Sequence, residues 1–137
     1  PVPSKNVCLI YELLHKDKLI SFPITEEGRH RVEALIASIN GEYFGRTNYP
    51  SPEEKAVAYL YYLIKDHPFT DGNKRTACLT FSVVCAQNNL TPNYRDFGLD
   101  ALAIFIEKIT QRDHHVVISV VAEMLFVATR DDSETRD

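Results

Sequence analysis

Cysteine is scarce in this chain. Of 137 residues only Cys8, Cys78 and Cys85 are cysteines, and no Cys-x-x-Cys pair occurs. An odd, dispersed set excludes a disulfide framework and a zinc-type spacing. Cys78 and Cys85 lie seven apart, on one face of an expected helix, and read as small buried apolar side chains. Such usage fits a reducing cytosol, so a cytoplasmic location is expected. No apolar run reaches the ~18 residues of a membrane span, and no secretory signal is visible. A basic excess is missing too: 15 Lys and Arg stand against 19 Asp and Glu, a net charge of -4. That argues against a surface built for nucleic acid or anionic lipid, so neither is an expected partner. The chain opens at Pro1 rather than Met, as expected of a domain cut from a longer protein.

What is present is ordinary for a globular protein: 45% hydrophobic and 25% charged residues. The length suits one domain with a real core, expected over 1–128, followed by the polar tail "TRDDSETRD" at 129–137. Apolar periodicity predicts a short helix over Val7 to His15. Thr25 predicts the cap of a second helix, Glu26 to about Ile39, which Asn40-Gly41 should end in a left-handed turn. "EYFGRTNYP" reads as a loop or small hairpin, either pinned to the core by Phe44 or extended to receive a partner peptide. "SPEE" is a strong start: Ser51 caps, Pro52 takes the first helical position, and Glu54 completes a capping box. This helix must stop near Asp66, because Pro68 disfavours helical geometry at His67. Thr76 to about Asn89 reads as a nearly all-round apolar, central helix. Asp96 or Asp100 should cap the next, and a last helix is expected over Val116 to Ala128. "DHH" at Asp113 to His115 has no further ligand spaced to complete a metal site and reads as a helix terminus. His15 and His30 are expected to be exposed. The sum is an all-α bundle.

"HPFTDGNKRTA", His67 to Ala77, lies between the two most apolar helices. Lys74 and Arg75 fall near a helix N-terminus, which already carries about half a positive charge. Bare N–H groups there suit an anion. Gly72 permits close approach to the backbone, Asn73 adds an amide, and Lys74 and Arg75 add charge. Asp71 is the type of residue that holds Mg²⁺ beside a polyphosphate. His67 is the side chain best suited to take a proton near neutral pH. Phe69, apolar in a polar loop, reads as an anchor to the core. Each residue taken alone has a plainer reading: a loop His, a turn Asp-Gly, a solvated Lys-Arg. The case rests on their occurring together.

"HPFTDGNKR" resembles the Fic/Doc (Fido) signature H-x-F-x-[DE]-[GA]-N-x-R, with His67, Phe69, Asp71, Gly72, Asn73 and Arg75 filling every fixed position. The resemblance extends over roughly Val7 to Phe126. It implies a Fido-type bundle of five to seven helices with a small flap hairpin. It implies a transferase that moves a phosphoryl or AMP group from ATP, with Mg²⁺, to a Ser, Thr or Tyr hydroxyl of a target protein. His67 would be the general base, Asp71 the Mg²⁺ ligand, and Gly72, Asn73, Lys74 and Arg75 the nucleotide cradle. Tyr43, Phe44, Gly45, Arg46 and Thr47 would form the flap that docks the target. Such bacterial domains act as toxins or virulence factors. "YFGRTNYPSPEEKA" is also similar to the Fic domains at the C-terminus of RhuM-type virulence proteins.

Two departures qualify the resemblance. AMP-transferring members carry Gly after the Asn and a second Arg three residues after the first; Lys74 and Cys78 stand there. Lys74 resembles the Doc branch, which implies phosphoryl transfer ahead of AMP transfer, although Gly72 is the AMP-transfer type. A binding module that holds nucleotide or protein with little turnover is the alternative. The self-inhibiting motif [ST]-x-x-x-E-[GN] is absent, since Pro23 precedes Glu27-Gly28. Control by a separate antitoxin or inhibitor protein, or by a part of a longer chain, is therefore expected.

Overall fold

Two of the expected helix caps form in the computed structural model, which describes residues 4–43, 46–110 and 113–127. After α1 (Ser4–Lys16), Thr25 Oγ1 accepts the Gly28 N–H at 3.0 Å and opens α2 (Glu26–Asn40). Ser51 Oγ accepts the Glu54 N–H at 3.1 Å and opens α3 (Pro52–Lys65). Between α2 and α3 a short antiparallel hairpin pairs β1 (Glu42–Tyr43) with β2 (Arg46–Thr47). Phe44 and Gly45, expected at the flap's tip, lie outside the described residues. There follow α4 (Asn73–Gln87), α5 (Gly98–Lys108) and α6 (His114–Ala122), which continues as a π-helical turn, Glu123–Val127. This is the all-α arrangement expected, with a hairpin where the flap was expected. Among the described residues no helix is long and apolar enough to cross a membrane.

The centre of the bundle is α3, not α4. Every residue from Ala56 to Tyr61 is buried, as are Leu63 and Ile64. Helix α4 was expected to be buried all round, but it leaves Leu79 and Val83 exposed. The tyrosines explain why α3 looks less apolar than it is. Tyr59 and Tyr61 bury their rings, Tyr62 is half-buried, and each passes its hydroxyl to a partner at the edge of the core. Tyr59 donates to Asn40 Oδ1 at 2.7 Å, Tyr61 bonds to His114 Nδ1, and Tyr62 lies 2.9 Å from the Tyr49 hydroxyl. Burial pushes the Tyr49 phenol well up, with the Tyr62 hydroxyl adding to it, so Tyr49 stays a neutral hydrogen-bonding group. Its ring stacks on His115, centroids 5.1 Å apart. Asn48 closes the hairpin's base: its N–H donates to Gly41 O at 3.1 Å and its Nδ2 to Ser38 O at 2.8 Å.

Other helix ends depart from expectation. Gly41 is extended (φ -75°, ψ 169°), so the left-handed turn expected at Asn40-Gly41 is not made; the chain enters β1 directly. Helix α4 starts at Asn73, three residues early, because Gly72 supplies the turn. Neither Asp96 nor Asp100 caps α5. Its start instead turns on Gly98, with φ +78°, and Asp100 sits in the first turn, where a carboxylate suits the dipole. Asp113 does terminate a helix: its Oδ1 accepts the Val116 N–H at 3.2 Å and opens α6, two residues before Val116. Ala128 lies outside the described residues. His30 is exposed, whereas His15 is half-buried.

Helix α3 ends on Asp66, a carboxylate at the negative end of a helix dipole. Although the residue is exposed, partial desolvation raises its carboxyl pKa above 3.8, opposed by His114, Arg31 and His67, so the effect is screened and small. A folded-state pKa above the unfolded one costs stability once pH rises through that interval, and costs nothing below it. Asp66→Asn is therefore expected to stabilise the fold at pH 7 by about 0.5 kcal/mol. The gain should vanish below pH 3.8 in urea titrations at both pH values.

Candidate functional site

The segment from Asp66 to Asn73 leaves α3 and re-enters the bundle as α4, and three local features set its shape. His67 has φ +47°, a left-handed geometry uncommon for a non-glycine residue. It turns the chain sharply before Pro68, and the imidazole is left exposed. Phe69 is buried and packs its ring on Tyr11, centroids 4.2 Å apart, which makes it the anchor expected of it. Asn73 then closes the loop. Its Oδ1 accepts the Phe69 N–H at 3.0 Å, and its Nδ2 donates to Phe69 O at 2.9 Å. The Asn73 amide oxygen and nitrogen are thus both engaged by the loop's own backbone.

Gly72 is the turn into α4, with φ +79° and ψ 14°. No side chain caps this helix. Its first backbone bond runs from Thr76 N–H to Gly72 O at 3.0 Å. The N–H groups of Asn73, Lys74 and Arg75 therefore have no intrahelical acceptor. A Cβ on Gly72 would come within 2.4 Å of Ile20 Cδ1. Glycine is required here twice over, by backbone angle and by the close approach of the segment after α1.

The two cations at the start of α4 have partners that short-range reading of the sequence missed. One Arg75 guanidinium nitrogen donates to Leu19 O, 56 residues away in the chain. Lys74 Nζ donates to Glu107 Oε2 at 2.8 Å, bridging α4 to the last turn of α5. The Lys74 ammonium holds the Glu107 carboxyl below its usual range, so Glu107 is ionised at neutral pH. Nothing in the local pattern around Glu107 distinguishes it from a solvated helix acid.

A cleft of about 490 Å³ opens over this loop. His67, Asp71, Gly72, Asn73, Lys74 and Arg75 all line it, and Glu107 closes it from α5. Six of the expected site residues thus share one cavity, while Phe69 lies behind it in the core. Asp71 is exposed and close enough to Tyr11 that its charge adds to the burial raising that phenol's pKa. Tyr43, Arg46 and Thr47, expected in a flap, lie in the hairpin strands. Cys78, where AMP-transferring members carry Arg, does not line the cleft. It is half-buried, and burial pushes its thiol up to about 11, so it remains a neutral packing group. A second cavity of about 600 Å³, lined in part by Arg31, Ser38 and Asp66, contains none of the six cleft-lining motif residues.

The arrangement offers bare helix N–H groups, two cations, one loop carboxylate and an exposed imidazole around one space. That set suits an anion and a proton acceptor. The Fic/DOC family model matches residues 7–85, more than half of the chain and the whole of this loop. No curated protein and no solved structure matches the chain.

Gly72→Ala should cost roughly 2 kcal/mol or more, from a left-handed alanine and from overpacking against Ile20. Because Ile20→Ala clears the contact, the double variant should lose less than the sum of the two single losses in urea unfolding. Strictly additive losses would show that the Ile20 contact does not fix this position.

Proposed function

The chain belongs to the Fic/DOC family, and on that premise we propose that the cleft binds Mg²⁺-ATP and transfers a phosphoryl group to a protein hydroxyl. The observation that carries the reading is the left-handed turn at Gly72. It leaves the N–H groups of Asn73, Lys74 and Arg75 without an intrahelical acceptor, on residues that line one cleft with Asp71 and His67. Helix N-terminal donors of this kind fit phosphate oxygens. Asp71 is the one loop carboxylate and fits Mg²⁺, which takes one or two carboxylates beside phosphate and water. The Mg²⁺-nucleotide supplies an activated phosphorus and charge neutralisation.

In this reading His67 takes the proton from a Ser, Thr or Tyr hydroxyl of the target as its oxygen attacks the γ-phosphorus. The bond from that phosphorus to the β–γ bridging oxygen breaks, and ADP leaves with the electron pair. Arg75 and the three N–H groups receive the phosphate charge. Asn73 serves through its main chain, while its side chain preserves the loop. The hairpin, fastened by Asn48 and Tyr49, offers strand edges to an extended target segment. Catalysis of this type is mainly positioning and electrostatics.

Two observations favour the γ-phosphate over the α-phosphate. Lys74 places a long side chain where AMP-transferring relatives have only Gly, and Cys78 leaves the second Arg position uncharged. ATP labelled at the γ position, offered with Mg²⁺ and a cell lysate, should label protein; label entering from the α position alone would overturn phosphoryl transfer in favour of AMP transfer. His67→Ala should lower transfer by 100-fold or more while nucleotide binding persists. Nucleotide binding by the unaltered chain with no transfer from either label would mark a binding module.

A further inference from the structure

Glu107 is an anion set in a cleft whose other features suit anions. We propose that Glu107 is a positioning residue for Lys74, holding its ammonium against α5 and competing with phosphate for it. The inference rests on the reading of the cleft as a phosphate site and concerns which groups hold that phosphate.

Three observations carry it. First, the contact is direct: Lys74 Nζ lies 2.8 Å from Glu107 Oε2, and both residues line the cleft. Second, Glu107 is held in place. Lys65, in the last turn of α3, donates to Ile109 O and, at 3.3 Å, to Glu107 O. The ammonium thus ties the end of α5 to the helix that leads into the loop. Glu107 therefore projects from backbone fixed relative to the cleft. Third, the formal charges cancel. Lys74 and Arg75 are matched by Asp71 and Glu107, and the accessible Arg75 guanidinium already serves Leu19 O. An incoming polyphosphate meets no net side-chain charge, only the positive end of the α4 dipole, and it gains the Lys74 ammonium only by displacing Glu107.

The exchange is feasible because the pair is partly exposed, with side chains 45% and 34% accessible. Pairs of that kind are weak. Phosphate oxygens presented to Lys74 Nζ at the same time as to the α4 N–H groups outcompete one carboxylate. Glu107 then sets two properties of the site. It lowers affinity for metal-free polyphosphate, and it keeps Lys74 on the α5 side of the cleft, which biases where the chain of phosphates lies.

The test is a double-mutant cycle on the full chain, read by binding of Mg²⁺-free pyrophosphate and of Mg²⁺-ATP at low ionic strength. Glu107→Gln should tighten pyrophosphate binding about fivefold. The gain should fall below about twofold when Lys74→Met is present. An unchanged or weaker affinity in Glu107→Gln, or an equal gain in both backgrounds, would overturn the positioning role. Those outcomes leave the phosphate site standing. If the unaltered chain and all three variants, folded by thermal melt, bind neither pyrophosphate nor Mg²⁺-ATP, both the phosphate site and the positioning role fall.

Discussion

One side chain closes the loop on which the site depends. Asn73 is the first residue of α4, and its amide takes both the N–H and the carbonyl of Phe69. Five residues become a ring. A helix start normally gains from a side-chain oxygen one position earlier, but Gly72 cannot provide one. Asn73 instead satisfies the loop rather than the helix, and so leaves the helix N–H groups free. Phe69, fixed at the back by Tyr11, carries the ring into the core. Asp71 and Gly72 are left at the outer edge. The apolar anchor and the uncapped helix start are two faces of one arrangement.

Much of this was legible in the sequence because it is local. Thr25, Ser51, Pro52 and Asp113 act within three or four residues of themselves, and the helices they start were readable. The same holds for the motif, whose residues line one cleft because they are neighbours in the chain. What was not legible is long-range. Two cations at a helix N-terminus suggest a missing anion, yet Arg75 already has the carbonyl of Leu19 and Lys74 has Glu107. These partners come from α5 and from the segment after α1, and no spacing rule connects them to the motif. The central place of α3 was hidden for a different reason. The helix with Tyr59, Tyr61 and Tyr62 read as one of the two apolar helices beside the loop but not as the central one, because tyrosine scores as half-polar, whereas two of the three are wholly buried. The start of α5 misled in another way: carboxylates suggested a cap, and a glycine with positive φ made the turn.

The segment from Asp17 to Pro23 carries no motif residue, but it borders the loop at two points. Ile20 packs where a Gly72 Cβ would go, and Leu19 offers its carbonyl to Arg75. The Tyr11 hydroxyl steadies this segment by donating to Phe22 O at 2.7 Å. The same Tyr11 ring supports Phe69. Helix α1 is thus the rear wall of the site, and substitutions there act on the loop's shape without touching its chemistry.

The hairpin's strands are two residues each, too short to hold an arm in water. Its stems end on Asn40 and Tyr49, and both are tied to tyrosines of α3, the helix whose last turn delivers His67. Hairpin and imidazole therefore share one rigid carrier. Under the proposed reading, a segment lying along the hairpin would be referred to the same helix that leads into the His67 turn.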